Sequence, residues 1–442
     1  METETLTKEY VQVAIDQKNK PIARARTAEY LIHNHHFATM RDTEELYHYT
    51  NGYYNNGGDR YAKTYIREVW GDGCSVHDIT EIIKAHLIPQ TYTDRITFNT
   101  NPETTCLQNG NLNILTTELT PHTPEQRYTF QLPIEWNPDA LCENIDQWLT
   151  QVIRPEDIPV FWQMVGYCLW RACPIHKAFM LTGDGSNGKS TMINLIQTFL
   201  GSDNVCTKSL QELIYNRFAA AQLYGKHANL FADLSDKALN QTGPFKMLSA
   251  GDWLDGEKKF KDSFTFKNYA KLIYSANKLP EVTDTTNAFF RRWIIINFPY
   301  TFDDTVADKN ILDKLTTPQE LSGMLRNAVI ALQHLISDGH FMRSETTEQV
   351  EERYTKLSNS IAAFVGEMIE ESGDAPAISR GDLYNSYSNY CRGNNLIIKS
   401  QSIFSKSLRE YVSTEECRVG NNRGWRGIKV LESGYGSLYG QE

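Results

Sequence analysis

The sequence lacks the features that mark membrane proteins, secreted proteins and zinc or disulfide frameworks. No apolar run approaches the roughly 20 residues that a membrane-spanning helix needs, and the polar, acidic start METETLTKEY is not a secretory signal. The 8 cysteines are scattered without a C-x-x-C pair, which argues against both zinc binding and paired disulfides. We therefore expect a cytoplasmic protein with reduced thiols and no membrane partner.

A surplus of basic charge is also missing. The chain has 44 Lys and Arg against 54 Asp and Glu, a net charge of −10. This balance does not exclude nucleic-acid binding, because a ring or channel protein can be acidic outside and basic inside. With 40% apolar and 22% charged residues, the 442-residue chain has the composition of a globular protein. Its length suggests about two to four domains.

One nine-residue segment carries a phosphate-binding pattern. Residues Gly183–Thr191 read GDGSNGKST and fit G-x-x-x-x-G-K-[ST]. In that pattern backbone N–H groups cradle the phosphates, Lys189 pairs with the outer phosphates and the Ser190 hydroxyl reaches Mg²⁺. The alternative is a glycine-containing turn with a chance lysine. The strand predicted before the segment (Ala178–Thr182) and the helix predicted after it (Thr191–Leu200) favour the phosphate-binding interpretation, which needs both elements. We expect ATP and Mg²⁺ as cofactors, with nucleotide contacts from Gly183, Asp184, Gly185, Ser186, Asn187, Gly188, Lys189, Ser190 and Thr191.

Two later strands end in polar side chains. The apolar run in NLFADLSD ends at Asp233, with Asp236 three residues on, and KLIYSANKLP places Asn277 after a buried strand. Such strand tips beside a phosphate loop are where α/β proteins gather ligand-reading groups. Asp233 is the candidate Mg²⁺ acid, although a strand-terminal acid can be a plain helix cap and Asn277 a plain turn residue. Asp236 remains a second catalytic candidate.

Basic residues form two further candidate sites in the same half of the chain. Arg291 and Arg292 precede an apolar strand, where they could be a solvated strand entry or an arginine finger for a neighbouring subunit. The segment GDWLDGEKKFKDSFTFK is typical of a hairpin with a basic tip. Its lysines could merely blunt a sheet edge, or could track DNA together with an aromatic ring; the tip residues are Lys258, Lys259, Phe260 and Lys261.

Local signals outline the remaining structure. Asn51-Gly52 predicts a hairpin, Ser75 with Asp78 predicts a helix start, and Thr317 with Pro318 and Glu320 predicts another. Near the C-terminus, helices are expected over Ile361–Glu371, Arg380–Arg392 and Ile403–Tyr411.

A hairpin of Cys417–Val419 with Gly427–Leu431, turning at Asn421–Gly424, would complete a winged helix. Its third helix, capped by Ser402, would carry Lys406 and Arg409, and its wing would present Arg423 and Arg426. Such units bind duplex DNA through phosphates or dock proteins, and the sequence does not choose between the two.

In order and spacing, these segments resemble a superfamily III helicase, specifically the helicase part of the poxvirus-type primase-helicases of viruses and plasmids. The resemblance runs from Asn109 to the C-terminus and rests on NGNLNILTTELTPH, GDGSNGKST, FADLSD, FKMLSAGDWLDGEKKFKDSFTF, YSANKLP and FFRRW. It implies an AAA+-like core, a homo-hexameric ring and 3′-to-5′ translocation on single-stranded DNA. It also implies that Asn277 is the sensor, Lys261 a DNA contact, and Arg291 or Arg292 the finger.

The resemblance has two departures. Its members often carry glutamate or adjacent acids where this chain has Asp233 and then Asp236, which leaves open the identity of the catalytic acid. The first hundred residues match weakly and contain no D-x-D pair of the primase type. We therefore expect a helicase without a primase.

The expected fold class is α/β, a phosphate-loop AAA+-like core with an α+β N-terminal domain and a C-terminal winged helix. The expected parts are an N-terminal domain (1–105), a helical connector of primase-helicase N-terminal type (106–173), the ATPase domain (174–340), a linker (341–359) and the winged helix (360–435).

The leading hypothesis is an ATP-dependent replicative helicase acting on single-stranded and forked DNA, with a separate primase, polymerase or initiator as candidate partner. The alternatives are a switch ATPase without processive unwinding and an origin-binding initiator.

Overall fold

The computed structural model describes residues 6–183, 185–257, 259, 263–282, 284, 286–303, 308–342, 345–394, 396, 398–420 and 422–431. Over these residues the fold is mixed α/β, as expected, with helices packed around several small sheets. None of the helices in these ranges combines the length and the apolar character needed to cross a membrane.

The N-terminal region forms a four-stranded sheet with helices against it, in the strand order β3-β2-β1-β4. The predicted turn at Asn51-Gly52 joins β2 to β3, and the predicted capping box of Ser75 and Asp78 begins α4. The elements are α1 (Lys8–Asp16), α2 (Lys20–Asn34), β1 (Phe37–Met40), β2 (Leu46–Thr50), β3 (Tyr53–Asn56), α3 (Gly58–Trp70), α4 (Val76–Glu81), α5 (Ile88–Gln90) and β4 (Tyr92–Thr93).

The next segment supplies a small antiparallel sheet and two helices that lead into the central sheet. Its elements are β5 (Thr104–Leu107), β6 (Gly110–Asn113), β7 (Leu119–Thr120), α6 (Glu143–Val152) and α7 (Ile158–Leu169).

The central sheet is parallel, with strand order β14-β8-β13-β10-β9. Its strands are almost wholly apolar because helices cover both faces. Phe179 and Leu181 face α6, α7 and α14, whereas Ala178 and Met180 face the opposite helical layer. The elements are β8 (Ala178–Thr182), α8 (Lys189–Leu200), β9 (Val205–Cys206), α9 (Leu210–Tyr215), α10 (Arg217–Ala220), β10 (Ala228–Phe231), α11 (Gly243–Ala250), β11 (Trp253–Gly256), β12 (Phe264–Lys267), β13 (Lys271–Ala276), α12 (Asn287–Phe290), β14 (Trp293–Asn297), α13 (Ile311–Leu315) and α14 (Pro318–Asp338).

Helix α14 holds α6 and α7 in place. A Cβ atom at Gly166 would lie 2.3 Å from the Ala328 carbonyl oxygen, so α7 and α14 approach closely only because residue 166 is glycine. The buried Glu320 carboxylate accepts hydrogen bonds from the backbone N–H groups of Asn144 (3.2 Å) and Ile145 (3.0 Å). Two otherwise unpaired donors at the start of α6 are thereby satisfied.

The C-terminal part contains helices, a three-stranded sheet ordered β16-β18-β17 and the pair β15-β19. Its core is formed by side chains such as Phe364, Tyr387, Phe404 and Trp425. The elements are α15 (Thr347–Ser358), α16 (Ser360–Met368), β15 (Ile369–Glu371), β16 (Ile378–Ser379), α17 (Arg380–Gly393), α18 (Gln401–Tyr411), β17 (Glu415–Val419), β18 (Asn422–Arg426) and β19 (Ile428–Val430).

Three details of the C-terminal prediction were wrong. The helix expected to reach Glu371 ends at Met368, and the last three residues pair with β19 instead. The cap of α18 is Ser400 rather than Ser402. The hairpin expected to pair Cys417–Val419 with Gly427–Leu431 pairs β17 with β18 instead, so the turn expected at residues 421–424 is largely strand, and β19 pairs with β15. Asn421 lies outside the described residues.

The stretch 341–359, expected to be a linker, contains helix α15. Val350 and Tyr354 of this helix are buried against Phe289, Phe290 and Trp293 of the central region. The sequence looked polar because the helix exposes most of its surface and buries only a narrow stripe.

Candidate functional site

The turn between β8 and α8 leads directly into the N-terminus of a helix. Within the described residues, no side chain caps the start of α8, whose N-cap position is Gly188. Gly183 has φ 154°, and a Cβ atom there would lie 2.2 Å from Asn187 Nδ2. The Ser186 carbonyl accepts a hydrogen bond from Phe302 N (2.8 Å), which fixes the turn against the segment after β14.

The Lys189 side chain bends over this turn. Its ammonium donates to the Gly183 carbonyl (2.6 Å) and to Asn187 Oδ1 (2.9 Å), and the residue is 6% exposed. These two contacts hold the cation at the N-terminus of α8, where the helix dipole and the backbone N–H groups favour an anion.

The predicted acid and the predicted asparagine come to the same edge of the sheet. β10 and β13 are parallel neighbours, and Ala276 of β13 pairs with Thr182 of β8, so all three strands end together. Asp233, just after β10, has φ 60°, a left-handed conformation that aspartate tolerates better than most residues. Its N–H donates to Ser275 Oγ (3.2 Å), which ties the acid to the strand that carries Asn277.

One cavity joins these groups. Its volume is about 620 Å³, and it is lined by the turn, by Asp233 and by Asn277. The other wall was missed by sequence reasoning, because its residues belong to no motif and come from α6 and from the segment after β14. They are Trp148, Gln151, Val152, Phe302, Asp308 and Ile311. Only the helical periodicity around Trp148 and Val152 signalled that α6 turns these side chains inward.

The second predicted acid is placed differently. Asp236 does not line the cavity; its carboxylate pairs with Lys278 at 3.1 Å. This ammonium lowers the pKa of Asp236 below its usual range. The structure therefore brings Asp233, but not Asp236, to the phosphate-binding turn.

The two predicted finger arginines lie at the opposite edge of the sheet. Ala178, at the start of β8, donates to the Arg292 carbonyl at 2.7 Å. The phosphate-binding turn is a strand length away, about 13 Å for four residue steps at roughly 3.3 Å each. Arg291 is exposed, whereas Arg292 is buried and its guanidinium donates to the Ala288 carbonyl. Of the pair, Arg291 is therefore the one exposed on the surface.

The predicted basic hairpin forms from β11 and β12, which pair from Trp253 with Lys267 to Gly256 with Phe264. Lys259 is exposed near its tip. The other expected DNA contacts of the tip, Lys258, Phe260 and Lys261, lie outside the described residues, as does Asp184 in the phosphate-binding turn.

A second cavity of about 530 Å³ lies on the C-terminal part, at the start of α18. Its walls include the predicted Lys406 and Arg409, and also Arg380, which the sequence did not single out. Glu416 pairs with both arginines, at 2.9 Å from Arg380. The two guanidiniums also contact the buried Trp425 ring, at 4.9 and 5.1 Å from its centroid. The predicted Arg423 and Arg426 are exposed on β18.

The main cavity fits a magnesium-bound triphosphate by its donor set. The uncapped start of α8 and the Lys189 ammonium can donate hydrogen bonds to an anion. The position of Gly183 has no room for a side chain. Ser190 and Asp233 both line this cavity, and their side-chain oxygens are of the kind that Mg²⁺ prefers. Within the described ranges no cluster of three or more His, Cys, Asp or Glu could hold a metal alone. Mg²⁺ does not need such a cluster, since it is usually held by one or two carboxylates together with phosphate oxygens and water.

Family models match three separate parts of the chain. The model described as D5 N terminal like matches residues 78–154, and the model described as Poxvirus D5 protein-like matches residues 356–430. Residues 181–292, between them, match a family of unknown function, DUF5906. The first and the middle of these matched segments contain every residue that lines the main cavity except Phe302, Asp308 and Ile311.

Similar proteins agree with these matches. A Sputnik virophage protein provisionally named helicase V13 is 21% identical over 284 residues, which are 59% of this chain. The chain spans 36% of that relative's length. Two apo structures of the NrS-1 C terminal region share the fold at 10% identity, with TM-scores of 0.50 and 0.51. They cover 92% and 91% of this chain, which in turn covers 100% and 98% of theirs. The resemblance indicated by the motifs is confirmed: this chain is similar to viral primase-helicases of the poxvirus D5 type, through the two D5 matches at residues 78–154 and 356–430 and through the virophage protein.

Proposed function

We propose that this protein is an ATP-dependent DNA helicase that acts as a hexameric ring in the replication of a virus or plasmid. The observation that carries the proposal is the common edge at which β8, β10 and β13 end. There the phosphate-binding turn, Asp233 and Asn277 face one cavity. A nucleotide hydrolase needs an anion cradle, a metal-holding acid and a polar group that reads the outer phosphate, and these residues provide one of each.

Each side chain has a distinct role in this proposal. Lys189 and the N–H groups at the start of α8 bind the phosphates, and Ser190 and Asp233 hold Mg²⁺. Bound Mg²⁺ would neutralise charge that develops on the phosphate oxygens. The side-chain amide of Asn277, which lines the same cavity, is proposed to contact the outer phosphate. The apolar wall of Trp148, Phe302 and Ile311 is suited to the base, since such sites bury apolar rings against apolar side chains.

The proposal is tested by ATP hydrolysis with and without single-stranded DNA. We expect Mg²⁺-dependent hydrolysis that single-stranded DNA stimulates. A protein that binds ATP but never hydrolyses it, with or without DNA, would contradict the proposed enzyme.

Arg291 is proposed to act on the neighbouring subunit's site, because its distance from its own cavity leaves it no role there. Arg291→Ala and Lys189→Ala proteins should each be inactive alone. Mixed in equal amounts, they should regain hydrolysis at the interfaces that combine an intact Lys189 with a partner's intact Arg291, about a quarter of the interfaces in a random ring. The ATPase rate across mixing ratios measures this complementation. A rate that stays at the level of the single variants at every ratio would rule out action in trans by Arg291.

The C-terminal part is proposed to bind duplex DNA as a winged helix, through the cavity at the start of α18. Three positively charged side chains and one carboxylate line this cavity, so its lining carries a net positive charge. Lys406→Ala should weaken forked-duplex binding and reduce the slope of log affinity against log salt by about 1, since one phosphate contact is lost. Glu416→Gln should strengthen binding, because Arg380 and Arg409 lose their internal counter-ion.

Lys429→Ala is the matched control for Lys406→Ala, since this exposed lysine lies on β19, outside the sheet that borders the cavity. DNA affinity and salt slope that do not respond to Lys406→Ala would favour a protein-docking role for this part of the chain.

A further inference from the structure

A buried arginine of the N-terminal region contacts the base of the hairpin formed by β11 and β12. Arg95 follows β4, and its side chain is 9% exposed. Its guanidinium carbon lies 4.5 Å from the centroid of the Phe264 ring, at the start of β12, and 4.4 Å from that of Tyr224. A cation that lies over two aromatic rings is attracted by both, and the attraction is largest where water is excluded.

The other side of Arg95 is fixed within the N-terminal region. Its Nε donates to Asp42 Oδ2 at 2.7 Å, and its Nη2 donates to Asp42 Oδ1 at 2.8 Å and to Thr43 Oγ1 at 3.2 Å. Such a two-point pair fixes the plane of the guanidinium as well as its position. Because the plane is fixed, the two ring contacts are fixed relative to Asp42.

The aromatic residues that Arg95 meets form the inner side of the hairpin. Phe264 and Phe266 are buried, whereas Thr265 and Lys267, between and after them, are exposed. Tyr224 meets both phenylalanine rings edge-on, with centroids 5.5 and 5.6 Å apart. The Phe264 ring also lies over Gly256, its cross-strand partner, where a Cβ atom would come within 2.8 Å. Moving Arg95 would therefore loosen both strands next to the tip.

We infer that Arg95 is a positioning residue, through which residues 1–105 hold the base of the hairpin that carries the proposed contact to single-stranded DNA. The inference rests on the proposed DNA contact of that tip, and it gives the N-terminal region a role that its sequence did not indicate. A tip that must meet successive phosphates gains affinity when its base is already ordered, because less freedom is lost on binding.

The test combines hydrogen exchange with DNA binding in the full chain. Arg95→Ala should speed amide exchange in residues 253–267 while leaving exchange in β8 and β13 unchanged. It should raise the concentration of single-stranded DNA needed for half-maximal ATPase stimulation about 3- to 10-fold, with basal ATP hydrolysis unchanged. Arg95→Lys keeps the positive charge but not the planar guanidinium, so it should give an intermediate result. This variant replaces Arg95→Ala in the test if Arg95→Ala does not fold.

Arg41→Ala is the matched control. Arg41 pairs with Asp94 at 2.9 Å, next to Arg95 in sequence, but both side chains of this pair are exposed. It should change neither exchange in the hairpin nor DNA stimulation.

Unchanged exchange over residues 253–267 in both Arg95 variants would overturn the positioning role. Faster exchange with unchanged DNA stimulation would also overturn the inference as stated. In that case the contact made by Arg95 is real, and the error lies in the DNA-binding role proposed for the tip.

Discussion

Lys189→Ala is expected to reduce ATP hydrolysis about 100- to 1000-fold, the range found when one preorganised charge partner of a reacting group is removed. Lys189 is the cation that the structure holds over the phosphate-binding turn, through Gly183 and Asn187. The turn itself should persist, because Ser186 remains bonded to Phe302 and α8 remains packed under the sheet. Steady-state hydrolysis and circular dichroism, measured on the same preparations, separate lost chemistry from lost structure.

Lys208→Ala is a suitable control for this variant. Lys208 follows β9 at the same edge of the sheet but pairs with Glu212 and does not line the cavity. It should hydrolyse ATP at the rate of the unaltered protein. Near-normal turnover by folded Lys189→Ala would remove the phosphate-binding turn from the catalytic site.

Asp233→Asn should bind ATP with nearly unchanged affinity and lose about 100- to 1000-fold in turnover. The amide keeps the size of the side chain but not the negative charge, which would act on Mg²⁺ and on the attacking water rather than on the base. Nucleotide affinity from calorimetry and turnover from steady-state rates give the two halves of this expectation.

Asp236→Asn separates the two acids. Its carboxylate is directed at Lys278, and an ion pair that is half exposed contributes little to stability. Turnover should therefore stay close to the unaltered rate, because Asp236 does not line the cavity. A loss of turnover in Asp236→Asn with normal turnover in Asp233→Asn would reverse the assignment.

The half of the cavity that follows motifs could be predicted from the sequence. The turn after β8, the acid after β10 and the asparagine after β13 each lie where an apolar run ends. Parallel strands bring their carboxyl ends to one edge, so separate predictions become one site. Only the positions where the strands end are needed for this prediction; it does not depend on which face of the sheet each strand residue occupies.

The other half depends on contacts between parts of the chain that are far apart in sequence. Trp148 reaches the cavity because Glu320, some 170 residues later, caps the start of its helix. Arg95 meets Phe264 across a similar separation. Helix α15 was mistaken for a linker, since only Val350 and Tyr354 reveal its buried side. Local sequence patterns cannot predict such long-range contacts, because neither residue of a pair is unusual for its own segment.

Strand displacement from duplexes that carry a single 3′ or 5′ single-stranded arm tests the central claim most directly. The proposal predicts Mg²⁺- and ATP-dependent separation of a duplex that carries a 3′ single-stranded arm. It also predicts little separation when the arm is 5′, and none with Lys189→Ala on either substrate. ATP hydrolysis that single-stranded DNA stimulates, without strand separation on either substrate, would contradict the helicase and favour a switch ATPase or an origin-binding initiator.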